Sequence, residues 1–319
     1  MSMLKKKKEI PVYLFTGFLE SGKTSFIKET LKDDQFKDGL TTVYIICEEG
    51  EIELSEKEIE ENRFVLRNID EEDEVTAENL AKIDLEVKPG RVLIEYNGTW
   101  DVEKMIEALP EHWLMAEGIA TVDASTYTDY LNNMKQMMTR QFTYADLVLF
   151  NRCREDHDLP VFKRTVKAIN RRAQVIFEMP DGTINGNVKE QLPYDMSAPS
   201  IEVADEEYGI WYLDVFENPE AYAGKTVTFK GQVYKPKKAS ADVFVPGRFA
   251  MTCCAADIQF VGCPCKWKDA KDLKEKSFVM VTAEIGSQYS RELGQNAPVL
   301  IAKSVTAADA PADEVVYFQ

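Results

Sequence analysis

Residues 17–24 are Gly-Phe-Leu-Glu-Ser-Gly-Lys-Thr, which has the Gly-x4-Gly-Lys-Thr spacing of a phosphate-binding loop. An apolar, strand-like run precedes this loop at residues 12–15, and an amphipathic, helix-like run follows it at residues 25–28. In that context the N–H groups of the loop and the positive end of the helix dipole would hold phosphates. Lys23 would pair with β- and γ-phosphate oxygens, and the Thr24 hydroxyl would ligate Mg²⁺. The loop therefore predicts binding of a nucleoside triphosphate with Mg²⁺.

Carboxylates that follow other strand-like runs are candidates to complete this site. Phosphoryl transfer on such a loop needs an acid at the end of a neighbouring strand and a residue that positions the attacking water. Glu95 ends an apolar run and fits the first role, Glu48 follows another, and Asp101 would belong to a mobile switch that reaches the γ-phosphate. An alternative for Glu48 and Glu95 is that they only solvate the ends of loops. The catalytic candidates are Lys23, Glu95 and Asp101, and the Mg²⁺ candidates are Thr24, Glu48 and Glu95.

The first part of the chain alternates strand-like and helix-like segments, which is typical of an α/β layered domain. The run Val-Tyr-Ile-Ile at residues 43–46 is apolar on both faces, which indicates a strand covered by helices on each side of a parallel sheet. The predicted strands are residues 11–16, 42–47, 91–95, 118–123, 147–151 and 174–178. The predicted helices are residues 23–31, 102–109 and 159–171. We therefore predict an α/β P-loop NTPase domain with a mostly parallel sheet over residues 1–190.

A stretch with prolines and acidic residues interrupts this alternation at residues 191–209 and predicts a linker. Short runs separated by turn residues follow it. The predicted strands there are residues 210–216, 226–234, 248–253, 278–285 and 298–305, and residues 269–276 are helix-like. Such spacing favours a small, mainly-β domain of the OB-like barrel type over residues 210–319.

Length and charge limit the class of protein. At 319 residues the chain is long enough for two domains that each bury a core. The formal net charge of −17 argues against a protein whose main task is to neutralise nucleic-acid or lipid phosphates. The basic run at residues 5–8 is more typical of a solvated segment before the first strand. Because the sequence has no apolar run of about 20 residues and no apolar signal core, we expect a cytoplasmic protein that does not span a membrane.

The loop and several other segments resemble those of the CobW-like GTPases, relatives of the GTPases that assemble the metal centres of hydrogenase and urease. The family loop is Gly-Phe-Leu-Gly-Ser-Gly-Lys-Thr. Residues 47–51 resemble the family's Asn-Glu-Phe-Gly-Glu, residues 94–98 its Ile-Glu-Thr-Thr-Gly, and residues 121–124 its Val-Val-Asp-Ala. Residues 145–151 resemble the approach to its guanine-reading Asn-Lys-x-Asp. The likeness covers residues 10–185 and implies an α/β GTPase domain in which Asn151 touches the base.

This resemblance completes the predicted nucleotide site. The nucleotide-binding candidates are Gly17, Glu20, Ser21, Gly22, Lys23, Thr24, Ser25 and Asn151. Hydrolysis is expected to be slow without a partner, because no arginine finger is identifiable in the chain and phosphoryl transfer depends heavily on such a charge.

Two departures from the family pattern bear on ligands. Residues 151–154 are Asn-Arg-Cys-Arg, so Arg154 stands where the family has the carboxylate that pairs with the guanine N1–H and 2-amino groups. Glu155 or Asp156 would substitute if the loop is shifted; otherwise the protein would accept ATP, or any purine. The predicted nucleotide is GTP, with ATP as the alternative. The family's Cys-x-Cys-Cys metal motif is also missing, since residues 62–67 are Asn-Arg-Phe-Val-Leu-Arg.

Four of the six cysteines lie close together in the second domain, namely Cys253, Cys254, Cys263 and Cys265. Thiolates suit Zn²⁺ or another thiophilic metal, and four would close a tetrahedral shell. Adjacent residues of a strand point to opposite faces, so Cys253 and Cys254 can both bind one ion only if a bulge or turn lies between them. A metal site with three of these thiolates is therefore a better prediction than one with four. The other two interpretations are small buried thiols that pack in a barrel and a redox-active thiol pair.

The second domain also resembles the C-terminal domain of a family of proposed permease-associated subunits, at residues 224–227, 231–234 and 248–257. Two functions follow from these resemblances. One is a metallochaperone-like GTPase that couples slow hydrolysis to metal handling for a metalloprotein client. The other is a nucleotide-gated adaptor for a membrane permease, without metal transfer. The sequence does not indicate an oligomeric state.

An OB-like barrel can also bind single-stranded nucleic acid when aromatic side chains line a basic groove. The residues concerned are Phe229, Tyr234, Phe244 and Phe249, with Lys235, Lys237 and Lys238 beside them. The acidic total charge favours aromatic side chains that fill the barrel instead. We therefore expect no nucleic-acid partner.

Overall fold

The computed structural model describes residues 8–48, 50, 52–189, 191–252, 257–291 and 293–318. These residues divide into two units. The first contains the residues up to Leu159 together with Arg172–Val188, and the second contains Pro160–Arg171 and the residues from Lys189 onward.

The first unit is built on a mostly parallel sheet, as predicted. Its strands are β1 (Ile10–Thr16), β2 (Thr42–Ile46), β3 (Phe64–Asn68), β4 (Arg91–Glu95), β5 (Trp113–Asp123), β6 (Leu147–Asn151), β7 (Gln174–Glu178) and β8 (Ile184–Asn185). Their order across the sheet is β3-β2-β4-β1-β5-β6-β7-β8. All neighbours run parallel except β7 and β8. The carboxyl ends of the central strands therefore meet at one edge.

Helices follow most of these strands. They are α1 (Lys23–Thr30), α2 (Glu56–Glu61), α3 (Ala77–Val87), α4 (Val102–Ala108), α5 (Tyr127–Asn133) and α6 (Lys135–Thr143). Helix α7 (Leu159–Ile169) follows β6 in the chain but belongs to the second unit from Pro160 onward. Side-chain caps mark where some of them begin, because the first N–H groups of a helix need acceptors. The Thr76 side chain, for example, accepts the N–H of Asn79 at 3.2 Å. No helix in the described ranges is both long enough and apolar enough to cross a lipid bilayer.

The sheet carries a hydrophobic core on each face. Successive residues of β2 belong to different clusters: Val43 and Ile45 pack with Leu80, whereas Tyr44 packs with Phe15. Side chains alternate between the faces of a strand, so a strand covered on both sides is apolar at every position. Strand β3 was not predicted, because only Phe64 in it is buried and its other side chains are at least partly exposed.

The second unit is mainly β. Its strands are β9 (Ser200–Glu202), β10 (Thr226–Tyr234), β11 (Val243–Met251), β12 (Gln259–Gly262), β13 (Cys265–Lys266), β14 (Phe278–Ser290), β15 (Gln295–Ala307) and β16 (Val315–Tyr317). Strand β11 pairs with both β10 and β13, β13 pairs with β15, and β14 pairs with β15 and β10. The pairing of these described strands thus runs in a closed cycle.

Two predicted elements of this unit are wrong. Residues 210–216 lie in helix α8 (Tyr208–Glu217), which is followed by α9 (Pro219–Tyr222), and not in a strand. Most of α8 is buried, including Trp211 and Val215, so its sequence is apolar nearly all round and cannot be told from a buried strand by periodicity. Residues 269–276 contain only a short 3-10 turn, at Ala270–Asp272, because Ala270 is the one fully buried side chain in that stretch.

The predicted linker also contains regular structure. Strand β9 lies within residues 191–209 and pairs in parallel with β10 through Thr226, Val227 and Thr228. The side chain of Ile201 explains this pairing, because it is 2% exposed and belongs to the core of the second unit. The segment around β9 is therefore part of that core and not a free spacer.

Candidate functional site

The phosphate-binding loop connects β1 to α1 at the carboxyl edge of the first sheet. Gly17 and Gly22 have φ angles of 134° and 97°, in the region that favours glycine. A Cβ on Gly17 would lie 2.4 Å from the carbonyl oxygen of Thr121, and a Cβ on Gly22 would lie 2.5 Å from Nδ2 of Asn151. Both glycines are therefore required by close packing against the ends of β5 and β6.

Lys23 is buried at the start of α1 and has three acceptors. Its Nζ donates to the carbonyl oxygens of Gly17 at 2.9 Å and Phe18 at 3.2 Å. It also forms an ion pair with Oε2 of Glu48 at 2.5 Å, with side-chain exposures of 3% and 11%. The loop thus holds a desolvated cation whose counter-charge comes from the segment after β2.

Thr24 and Glu95 form the second polar contact of the site. The Thr24 hydroxyl donates to Oε1 of Glu95 at 2.7 Å, and the hydroxyl of Tyr44 donates to Oε2 of the same carboxylate. Burial, and then the Glu95 charge, raise the pKa of Tyr44, which keeps this side chain a neutral donor. The parallel register pairs Glu95 with Phe15 of β1 and Ile46 of β2, which explains why these groups converge.

Asn151 braces the loop from the end of β6. Its Nδ2 donates to the carbonyl oxygen of Ser21 at 2.7 Å, and the Ser21 hydroxyl is 2.8 Å from Oγ1 of Thr121. The Oδ1 atom of Asn151 is buried and has no hydrogen-bond partner among the described residues. A buried amide oxygen without a donor is an open acceptor position beside the loop.

Arg152 is a site residue that the sequence did not single out. Its Nη1 donates to the carbonyl oxygen of Glu20 at 3.0 Å, and it forms an ion pair with Asp123. Both Glu20 and Arg152 have positive φ angles, 61° and 53°, which few residues other than glycine adopt. Arg152 stands directly after Asn151, and that position was the only signal in the sequence.

A cavity that is open to solvent lies over the loop. Its lining brings together predicted residues, namely Glu20, Gly22, Lys23, Thr24, Ser25, Glu48 and Glu95. It also includes residues that were not predicted: Leu19, Gly50, Ile52 and Arg152. One space is thus lined by three acidic residues together with Lys23 and Thr24.

The structure places Asp101 elsewhere. Its side chain caps α4 by accepting the N–H of Glu103 at 3.1 Å, and its own N–H donates to Oε1 of Glu72 at 2.9 Å. Asp101 does not line the cavity. The segment just before Asp101 is instead contacted from α6, where Nε2 of Gln141 donates to the carbonyl oxygen of Gly98 at 2.6 Å.

The segment after Asn151 carries the residues expected to read the base. Cys153 is buried and its N–H donates to the carbonyl oxygen of Glu178 at 3.1 Å, whereas Arg154 is exposed. The guanidinium of Arg154 pairs with Asp156 at 3.1 Å, and this hydrogen bond lowers the pKa of Asp156. One of the two carboxylates that would substitute for the missing acid is therefore already paired with Arg154.

The comparisons with known proteins bear on this geometry. The family described as CobW/HypB/UreG, nucleotide-binding domain, matches residues 11–177, which contain the loop, Glu48, Glu95 and Asn151. The chain belongs to the CobW/HypB/UreG family. This family member also matches the DUF1980 C-terminal domain over residues 179–318. The first unit is thus a nucleotide-binding domain of the P-loop GTPase fold, joined to a DUF1980 C-terminal domain.

Solved structures similar to this CobW/HypB/UreG family member include three structures of two proteins. The hydrogenase maturation factor HypB from Archaeoglobus fulgidus is 17% identical, with 54% of this chain and 82% of that chain covered and a TM-score of 0.37. A Zn(II)-bound triple mutant of the YjiA GTPase is 17% identical, with 92% and 89% covered and a TM-score of 0.44. The Zn(II)-bound YjiA GTPase from E. coli is 15% identical, with 92% and 89% covered and a TM-score of 0.42. No curated protein matches the chain.

The cysteines of the second unit are only partly described. Cys253 and Cys254 lie outside the described residues. Cys263 and Cys265 are free thiols buried in the core of the unit, and burial raises the pKa of Cys263 and raises that of Cys265 to about 12. Within the described ranges, no group of at least three His, Cys, Asp or Glu side chains is arranged to hold a metal ion. For Cys263 and Cys265 the packing interpretation fits the observed burial.

Proposed function

We propose that the protein binds a nucleoside triphosphate, GTP by family, together with Mg²⁺, and hydrolyses it slowly. The observation that carries this proposal is the convergence of Lys23, Thr24 and Glu95 in one cavity at the carboxyl edge of a parallel sheet. Helix α1 begins at Lys23, so its unpaired N–H groups and positive dipole end also face that edge. This combination suits a phosphate chain.

The residues present fit Mg²⁺. This cation prefers oxygen ligands and usually takes one or two carboxylates from the protein. The Thr24 hydroxyl and the Glu95 carboxylate are already within 2.7 Å of each other, and Glu48 faces the same space. We infer that these three side chains would hold the ion, which when bound would neutralise phosphate charge.

Slow hydrolysis follows from the charges in the cavity. Developing charge on a transferred phosphoryl group is usually stabilised by an arginine in cis or from a partner. Among the described residues that line the cavity, Arg152 carries the one guanidinium, and it contacts the Glu20 carbonyl and Asp123. We therefore expect turnover to stay low until a partner protein supplies a cation.

Calorimetric titration with GTP and with ATP, each with and without Mg²⁺, tests nucleotide binding. Lys23→Ala should weaken binding by about 100-fold or more, because it removes the buried cation that pairs with phosphate. Thr24→Ala should retain part of the binding but lose most of its dependence on Mg²⁺. Lys32→Ala is the matched control, since Lys32 pairs with Glu29 on the surface close to α1. Wild-type protein that gives no heat with either nucleotide would contradict the proposal.

We further propose that the nucleotide state controls metal handling by the second unit. Family membership and the adjacent thiols of Cys253 and Cys254 support this, whereas the buried Cys263 and Cys265 do not. Thiolates bind metal only after losing their protons, and a pKa near 12 opposes that loss. The proposed metal ligands are therefore Cys253 and Cys254, completed by a client or a further side chain.

Metal analysis after purification without chelators separates this proposal from the permease adaptor. Binding of thiophilic metal that falls in a Cys253→Ser, Cys254→Ser double variant would support metal handling. The matched control is Cys47→Ser, which removes a buried thiol beside the nucleotide site. Less than about a tenth of an equivalent of metal in the wild type would contradict metal handling and leave the adaptor as the better hypothesis.

We also infer that the second unit is an OB-like barrel. The support is the closed pairing cycle of β10, β11, β13, β15 and β14, since small barrels of this type have five strands. The experiment is an electron-density map of the isolated unit at side-chain resolution. An open sheet there would contradict the inference.

A further inference from the structure

The aromatic side chains of the second unit do not all fill its core. Phe229 and Phe244 are buried, at 1% and 0% exposure, as expected. Tyr234 and Phe249 are 45% and 40% exposed, so the expectation that they too pack inside the barrel is wrong. The reason is strand alternation: Val233 and Ala250, their neighbours on β10 and β11, point inward in their place.

These two side chains join a third on the outer surface. The ring centroid of Phe260 lies 5.5 Å from that of Tyr234 and 5.3 Å from that of Phe249, so the three rings form a row across β10, β11 and β12. A Cβ on Gly247 would lie 2.6 Å from Cε1 of Phe260, which shows that the Phe260 ring rests on the glycine backbone. We call Tyr234, Phe260 and Phe249 the aromatic row. It is held in place by packing and still exposes ring surface.

Lysines concentrate beside the Tyr234 end of the aromatic row. Residues 235–242 and 266–276 contain eight lysines and four acidic residues, a local net charge of +4 in a chain whose net charge is −17. The two segments are in contact, because Nζ of Lys235 donates to the carbonyl oxygen of Lys271 at 2.8 Å. The second segment also returns to β10, where the N–H of Lys276 donates to the carbonyl oxygen of Val233 at 2.8 Å. We call these two segments the lysine border.

Much of this charge is available to a ligand. Lys237, Lys238 and Lys274 are exposed. Lys266 is 3.7 Å from Asp242 and Lys268 is 4.0 Å from Asp269, and such long, exposed pairs contribute little. The lysine border therefore adds a positive field beside a surface of exposed aromatic rings.

We propose that the aromatic row and the lysine border bind single-stranded nucleic acid. Unpaired bases stack on aromatic faces, and lysine ammonium groups pair with the phosphates that link them. A duplex fits less well, because its bases are already stacked. An acidic peptide would use the lysines but offers the rings no planar groups on which to stack. This site is independent of the nucleotide site in the first unit.

Fluorescence anisotropy of labelled oligo(dT) and oligo(rU) of about 20 nucleotides tests the proposal with the full-length protein. Binding should weaken steeply as salt rises, since phosphate contacts release counterions. Tyr234→Ala and Phe249→Ala should each weaken binding by about fivefold or more, and Tyr234→Phe should leave it nearly unchanged. A Lys237→Gln, Lys238→Gln double variant should reduce the slope of log affinity against log salt.

Tyr289→Ala is the matched control, because Tyr289 is a 62% exposed tyrosine of β14 outside the aromatic row. An unchanged unfolding temperature shows that each variant is folded. Three outcomes would overturn the proposal. One is no binding of either oligonucleotide up to about 100 µM protein at low salt. Another is binding that the aromatic substitutions leave unchanged. The third is equal or tighter binding, through the same residues, of poly-glutamate or of vesicles that contain phosphatidylserine.

Discussion

Replacing Glu48 by Gln removes the charge that balances Lys23 but keeps an amide oxygen of similar size near it. In the structure this pair is short, at 2.5 Å, and nearly enclosed, with side-chain exposures of 3% and 11%. A phosphate group that enters the loop must compete with Glu48 for the same ammonium group. We therefore expect Glu48→Gln to strengthen nucleotide binding when Mg²⁺ is absent.

The size of the effect follows from the contact that is lost. A charge-assisted hydrogen bond contributes about 1.5–3 kcal/mol. That range corresponds to about a 10- to 150-fold lower dissociation constant for the variant in EDTA. With Mg²⁺ present the gain should shrink, because Glu48 is also a proposed ligand of the cation. The nucleotide-free variant should lose about 1–3 kcal/mol of unfolding free energy, since the buried Lys23 loses its counter-charge and keeps only neutral acceptors.

The assay is anisotropy of a fluorescent GTP analogue, measured in EDTA and in Mg²⁺, with thermal unfolding of the nucleotide-free protein beside it. Glu58→Gln is the matched control, because it removes the same charge from a pair with Lys28 that is 3.3 Å long and about one-third exposed. It should change affinity by less than about twofold. An affinity in EDTA that is equal to or weaker than that of the wild type would refute the competition between Glu48 and phosphate.

Three further predictions concern base selection, the brace on the loop and the buried thiols. Arg154→Asp should raise the preference for GTP over ATP by about tenfold or more, because it restores a carboxylate that accepts hydrogen bonds from guanine. An unchanged ratio of the dissociation constants for the two nucleotides would contradict this. Asn151→Ala should lower the unfolding free energy by about 1–3 kcal/mol and weaken nucleotide binding, because the Ser21 carbonyl loses its hydrogen-bond donor. Chemical denaturation measures the first effect, and nucleotide titration measures the second. Cys263 and Cys265 should not react with a thiol reagent at pH 8 until the protein unfolds. Burial raises their folded-state pKa values above those of the unfolded chain. The contribution of these two thiols to stability should therefore be constant below about pH 9 and fall above it, and Cys265→Ala should reduce that fall.

The phosphate site and the sheet that carries it were predictable because they depend on local patterns. Glycines at positions 17 and 22 satisfy backbone conformations that other residues avoid, and this demand is visible at a fixed spacing. The run Val43–Tyr44–Ile45 is apolar at every position because both faces of β2 are covered. Glu95 was predictable as well, since a carboxylate at the end of a parallel strand lies at the functional edge of the sheet.

Other features depend on contacts between residues far apart in the chain. Residues 210–216 were predicted as a strand although they lie in helix α8. The helix is nearly completely buried, and this burial removes the polar side that makes a helix recognisable in a sequence. Asp101 directly precedes α4 and caps it through a contact with Glu103, two residues further on, so a local rule of helix starts explains its place outside the cavity. The burial of α8, by contrast, is not encoded in the spacing of neighbouring residues.

The sequence by itself determined that this chain has a loop for a phosphate chain and an α/β domain to hold it. Only the tertiary structure decided which charge balances Lys23, that Arg152 joins the loop to Asp123, and that Tyr234 and Phe249 face outward. The physical reason is the distance along the chain over which each interaction acts. Backbone conformation and side-chain alternation act over a few residues and leave a pattern, whereas ion pairs and burial are set by which distant strands become neighbours.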